Sequence, residues 1–261
     1  LFGLRVGVLP ADWLELGFTR LTQFDWPGFG QTFPSAVLTA YASGANQPGN
    51  RETNEQVMID FRARVAKRPY LVPFPAGMQV YGEIGSEDKW SKWRPSRGAF
   101  LFGVYVPQLF AGDTADLRIE YADTDFTRRN TTFPGVWYNN GTFTTGMRER
   151  GLPLGHWIGT DAAALFARVT RQMGSQLLLG LNLEIAQRGR GSGPVHEEKR
   201  EAAFDLTWWF SHATQLGVGY ARQWVRNPGQ VTSVSPAYAE AFAASGTGAN
   251  DLLWTRLVTQ F

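Results

Sequence analysis

The stretch KWSKWRPSRG packs Lys89, Trp90, Lys92, Trp93, Arg94 and Arg97 into ten residues. A second stretch, 127–161, holds Arg128, Arg129, Trp137, Tyr138, Arg148, Arg150, His156 and Trp157. Flat aromatic faces stack on sugar rings, and guanidinium or ammonium groups pair with carboxylates. Together they suit an acidic polysaccharide. The same residue types also suit lipopolysaccharide phosphates, or the packing of loops into the mouth of a barrel, and the residues alone leave these readings open. Catalysis is not expected. No Ser–His–Asp or paired-carboxylate arrangement can be given roles. Cysteine is absent, which removes disulfides, thiolate metal sites and thiol nucleophiles. The three histidines, His156, His196 and His212, are in no ligand spacing, so neither a metal nor a cofactor is expected. With 25 Lys+Arg against 23 Asp+Glu, the chain has no dominant basic face of the kind that binds nucleic acid.

These residues lie between elements with a period of 2. In QLLLGLNLEIA, Leu177, Leu179, Leu181, Leu183 and Ile185 fall on one face and Gly180, Asn182 and Glu184 on the other. EQVMIDFRARV sets Val57, Ile59 and Phe61 against Asp60, Arg62 and Arg64. Eleven such runs span about 2–9, 14–24, 55–65, 77–87, 98–108, 116–126, 162–172, 176–187, 200–211, 214–225 and 251–261. A ten-residue strand is about 33 Å long, enough to cross a thin membrane when tilted. The class expected is therefore all-β, an antiparallel transmembrane barrel of the bacterial outer membrane.

Connection lengths alternate. PADW, AGDTA, GS and HA are tight, and KRPYLVPFPAG is somewhat longer. The segments 25–54, 88–97, 127–161, 188–199 and 226–250 are long. Brief periplasmic turns and large outer loops give that alternation. The final strand, LLWTRLVTQF, ends in Phe261 like an outer-membrane assembly signal, and the absence of cysteine suits passage through an oxidising periplasm. With Phe261 periplasmic, all the long loops are outside, and the first run descends from the outer side. Eleven is odd, whereas single-chain bacterial barrels are even. Residues 1–261 are thus expected to be one barrel domain, the C-terminal portion of a longer one. FPSAVLTAYASG reads as a short helix over about 34–42 in an outer loop.

Faces opposite the apolar ones carry Arg62, Arg64, Arg118 and Arg168 with Asp60, Glu83, Glu120, Glu184 and Asp205. Both signs in similar number predict a cross-linked lumenal wall, paired between adjacent strands, rather than a selectivity filter. Trp13, Trp208, Trp209, Trp224 and Trp254 are expected in aromatic girdles at the lipid interfaces.

Several stretches resemble the Wzi family of capsule-assembly outer-membrane proteins. FPSAVLTAYASGANQPGNRETNEQVMIDFRAR is similar to the family's helix-bearing loop and the DFR strand after it. MQVYGEIGSED, LRIEYADT and GLPLGHWIGTDA follow in the family's order, the match covering most of 30–190. The resemblance implies a large barrel that binds capsular polysaccharide without breaking bonds and helps organise it at the surface. Its partners would be acidic surface polysaccharide, lipopolysaccharide or other outer-membrane lipid, and another envelope protein. Family members are longer, with further strands on the N-terminal side. Gly155, His156 and Gly159 read foremost as a tight entry into a strand. The candidate glycan residues are Trp90, Trp93, Arg94, Arg128, Arg129, Trp137, Tyr138, Arg148, His156 and Trp157. A porin-like channel and a purely structural scaffold are the alternatives.

Overall fold

A strand that is apolar on one face and polar on the other cannot satisfy its own backbone, so it must pair sideways with a neighbour of the same pattern. The computed structural model describes residues 2–24, 53–67, 72–87, 90–91, 94–95, 98–124, 137–139, 147–149, 152–153, 155–190, 196–211, 213–227 and 247–259. Every regular element among them is a β-strand. In chain order they are β1 (Phe2–Ala11), β2 (Leu14–Phe24), β3 (Thr53–Val65), β4 (Met78–Glu87), β5 (Trp90–Ser91), β6 (Arg94–Pro95), β7 (Gly98–Val106) and β8 (Ala115–Asp123). There follow β9 (Arg148–Glu149), β10 (Leu152–Pro153), β11 (Ala162–Met173), β12 (Leu177–Arg188), β13 (Glu197–Trp209), β14 (Thr214–Arg226) and β15 (Thr247–Thr259).

Eleven of these form one antiparallel sheet in the order β1-β2-β3-β4-β7-β8-β11-β12-β13-β14-β15. Among the described residues β1 pairs only with β2 and β15 only with β14, so the sheet has two edges. The eleven expected runs are the eleven strands of this sheet. Tight connections gather at one end: residues 12–13, 107–114 and 174–176. Gly112 and Gly174 hold φ of 75° and 62°, a left-handed backbone that suits glycine and lets the chain reverse in so little length. The strand ends that the long connections join lie at the other end. The helix expected over 34–42 and the terminal Phe261 lie outside the described residues.

The apolar face is continuous and exposed, with Ile59, Phe61, Phe102, Ile119, Leu165, Leu181, Leu183, Ile185, Phe204 and Trp208 projecting from it. Buried hydrophobic residues cluster instead at the long-loop end. One group joins Ala122, Ile158, Ala162, Ala164 and Ala186, and the other joins Ala99, Trp137, Tyr138 and Met147.

Two expectations need correction. β13 and β15 start at Glu197 and Thr247, three and four residues earlier than their expected starts at 200 and 251. Glu197, Glu198 and Lys199 are polar on both faces, so alternation vanishes while the ladder continues. Trp209 and Trp254 leave the girdle: Trp208 stands exposed on the apolar face, so its neighbour Trp209 turns to the other, and Trp254 lies on the polar face with its ring over Gly219.

Charges pair between adjacent strands as expected: Arg62 faces Glu15 at 3.7 Å, Arg188 faces Glu197 at 3.6 Å, and Lys199 of β13 reaches Glu184 of β12 at 2.9 Å. Asp60 stands opposite Glu83, and Arg118 opposite Arg168, so directly facing charges at these positions are alike. Three further contacts leap over one strand. Arg5 of β1 grips Asp60 of β3 with Nη–Oδ distances of 2.5 and 2.7 Å, passing over Gly17 of β2. Arg168 of β11 holds Asp205 of β13 at 2.8 and 3.0 Å, passing over Gly180 of β12. Tyr81 of β4 donates to Glu120 of β8 at 2.7 Å, passing over Gly103 of β7. In each case a bare backbone on the middle strand leaves room for the two longer side chains to meet.

Candidate functional site

The chemistry-bearing residues gather at the long-loop end. Beyond β4 and β7 the chain forms a small hairpin in which Trp90 pairs with Pro95 and Ser91 with Arg94. The backbone positions of Trp90 and Arg94 are therefore fixed at its two sides, while Trp93 lies outside the described residues. Arg128 and Arg129 also lie outside them. Arg148 opens a second two-residue ladder, pairing with Pro153.

Trp137 and Tyr138 fold inward. Each is 5% exposed, and they pack with Met147, Ala99 of β7 and Leu21 of β2. The Trp137 ring lies against Gly85 of β4 and the Tyr138 ring against Gly155, each where a Cβ would collide. Tyr138 takes φ of 68° at this bend, and its carbonyl accepts from Met147 N at 3.0 Å. These two rings present no free stacking face. They follow the reading in which the loop packs into the mouth, because burying two large rings against small residues outweighs leaving them in water.

The plug and its return strand are tied together. Tyr138 Oη accepts from His156 N at 2.8 Å. Ile158 N donates to His156 Nδ1 at 3.4 Å, and Gly159 N donates to His156 O at 3.2 Å. Burial holds the His156 imidazole below its usual range, opposed by the nearby Glu120 charge, so it is neutral at pH 7 with Nδ1 as acceptor. Burial likewise pushes the Tyr138 phenol up. Thr124 closes the loop: its N donates to Ala162 O at 2.8 Å and its hydroxyl to Gly159 O at 2.8 Å. The carbonyl of buried Asp161 accepts from Gly189 N at 2.9 Å, joining the loop after β12 to the same knot.

Trp157 points the other way. It is 43% exposed, with the His156 ring 5.5 Å away on one side and Lys199 Nζ 5.7 Å from its centroid. Lys199 is itself pinned, 2.9 Å from both Glu184 and Glu201. The result is a rigid, half-open indole flanked by a cation and two carboxylates. Sequence reading found Trp157 and Glu184 but missed Lys199 and Glu201, because nothing local in EEKRE indicates contact with a distant tryptophan. Beneath the plug a cavity of about 580 Å³ separates it from the polar wall, with Arg5, Gln56, Asp60, Glu83 and His156 on its lining. No cluster of His, Asp or Glu able to hold a metal occurs among the described residues.

The antiparallel sheet agrees with the comparison to known proteins. The sequence profile of the family described as capsule assembly protein Wzi matches residues 1–235. The chain belongs to the Wzi family. No curated protein matches its sequence significantly. Among solved structures it is similar to Wzi of Escherichia coli, described as an outer-membrane protein involved in group 1 capsule assembly and a carbohydrate-binding β-barrel. The TM-score is 0.68 at 17% identity, over 99% of this chain and 51% of that one. The chain thus spans about half the length of that relative and shares its barrel fold. An identity so low carries the fold and none of the site residues.

Proposed function

We propose that this chain forms part of the wall of an outer-membrane barrel that binds acidic capsular polysaccharide at its outer rim and helps assemble or anchor it at the cell surface. The supporting observation is the rim itself. Trp157 offers an exposed ring held rigid by His156 and Lys199, while buried Trp137 and Tyr138 fix the loop that carries it. A rigid aromatic loses little entropy on stacking against a sugar. Trp90 and Arg94 of the neighbouring hairpin, with Trp93, Arg128, Arg129 and Arg148, complete the proposed surface. Binding is weak at each site and multivalent along a polymer, and no bond is made or broken. The eleven strands are proposed to be one arc of a larger barrel. Open edges at β1 and β15 support this, since hydrocarbon does not satisfy an exposed ladder.

The test is binding of the intact, detergent-solubilised protein to the host's own surface polysaccharide. Trp157→Ala is expected to weaken binding about tenfold, the ~1.4 kcal/mol of one lost aromatic contact. Trp90→Ala/Trp93→Ala is expected to act independently of it. No saturable binding by the unmodified protein would overturn the lectin reading. Unchanged binding in both variants would overturn the site.

A further inference from the structure

The apolar face changes character abruptly along its long-loop end. Register sets side chains of equal height in rows. Tyr121, Leu165 and Ile185 stand level on β8, β11 and β12, and the same row continues through Arg200 of β13 and Trp224 of β14. One row nearer the tight turns, Ile119, Ala167 and Leu183 are level with Ala202 and Arg222. At the heights where three strands face apolar surroundings, one of the next two carries a guanidinium group, Arg200 in the first row and Arg222 in the second.

Arg200, Arg222 and Arg226 surround Trp224. Arg200 stands directly opposite it, and the two others flank it on the same face of β14. Diagonal neighbours in a sheet are about 7–8 Å apart, so these charges repel one another. Arg222 has Asp251 at 3.7 Å, and Glu198 stands directly opposite Arg226 in the ladder with its carboxylate 3.2 Å from His196 Nε2. Among the described residues no carboxylate lies within ion-pair distance of Arg200 or Arg226. Arg20, at the same end of the apolar face on β2, differs: Glu55 holds it at 2.7 Å. A groove of about 1000 Å³ takes in Arg200, Arg226 and Trp224 together with Leu165, Leu183 and Ile185, with Glu198 also on its lining.

We propose that this patch binds one phosphorylated glycolipid of the outer leaflet, with its sugar phosphates on Arg200 and Arg226 and its acyl chains along Leu165, Leu183 and Ile185. The inference rests on the outer-membrane placement proposed above and is independent of polysaccharide binding. Guanidinium forks match phosphate oxygens bidentately, and a low-dielectric wall strengthens the pairing. Trp224 between the arginines has the amphipathic ring favoured where sugar meets acyl chain. Charge complementarity and an adjoining apolar groove together fit a lipid that is anionic at its head and branched into several chains.

The test uses the intact protein in neutral detergent, titrated with bisphosphorylated lipid A and followed by native mass spectrometry, with monophosphorylated lipid A, phosphatidylglycerol and phosphatidylcholine in parallel. The unmodified protein is expected to retain bisphosphorylated lipid A at least tenfold more tightly than phosphatidylglycerol. Arg200→Gln/Arg226→Gln is expected to lose at least tenfold of that affinity. Arg200→Lys/Arg226→Lys is expected to lose less, because charge survives and the fork does not. Heat-dependent gel mobility establishes that each variant is folded, and polysaccharide binding is expected to be unaltered in all. Equal retention of lipid A by the glutamine variant, or equal retention of phosphatidylglycerol and lipid A by the unmodified protein, would overturn the proposal.

Discussion

A Cβ built on Gly180 would lie 2.5 Å from Arg168 Nη2 and 2.6 Å from both carboxylate oxygens of Asp205. The ends of those side chains are flexible, so they can move aside, and what is lost is the pair. Gly180→Ala is expected to destabilise the barrel by roughly 1–2 kcal/mol, the value of a charge-assisted pair discounted for partial exposure. In an Arg168→Gln/Asp205→Asn background the same substitution is expected to cost almost nothing. Denaturant unfolding of the four proteins, followed by tryptophan fluorescence, measures this; additive losses would show that the glycine serves some other purpose. The charges themselves are readable in sequence, since Arg168 and Asp205 fall on polar positions. Their partners are not. Pairing across a skipped strand depends on a glycine in a third segment, and no rule for adjacent strands supplies it.

The plug is the element whose stability should follow pH. His156 titrates below the usual imidazole range in the folded state, so its neutral form is the one the fold accommodates. The unfolded loop takes up a proton near pH ~6.5, and the folded loop only at lower pH. Plug stability is therefore complete above about pH 6.5 and is lost as pH falls below that value toward the folded pKa. Tyr138, with its pKa raised, acts at the other end: stability is present below about pH 10 and is lost as pH climbs past it. Limited proteolysis between 125 and 161 is expected to accelerate on acidification from pH 7 to 5, and His156→Gln to flatten that dependence. An unchanged proteolysis rate over this range would remove His156 from the account. The strands were legible because eleven amphipathic runs each obey a period of 2. Packing of 127–161 into the mouth was one open reading, but which rings it buries was not legible, because burying Trp137 and Tyr138 depends on where Gly85, Ala99 and Leu21 come together, and three separate strands deliver those residues. The two-residue ladders at 90–95 and 148–153 were equally invisible, being too short to show any period.

At the scale of the whole molecule the two ends of the sheet differ in kind, one closed by tight turns and the other loaded with loops. A chain without cysteine makes this directly measurable. Ser192→Cys, in the connection after β12, is expected to react with a membrane-impermeant maleimide on intact cells. Ser175→Cys, in the turn between β11 and β12, is expected to react only after the envelope is permeabilised. The reverse pattern would invert the orientation. The leaping pairs bear on the same scale through errors of assembly. Shifting a strand by one residue turns its apolar face inward and is penalised everywhere along it. Shifting it by two restores every face, and hydrophobicity cannot tell the result from the native arrangement. Arg5–Asp60, Tyr81–Glu120 and Arg168–Asp205 can tell: each needs three strands in one alignment with a glycine beneath the crossing. They act as a proofreading code for registration, legible only after the third strand of each set has arrived.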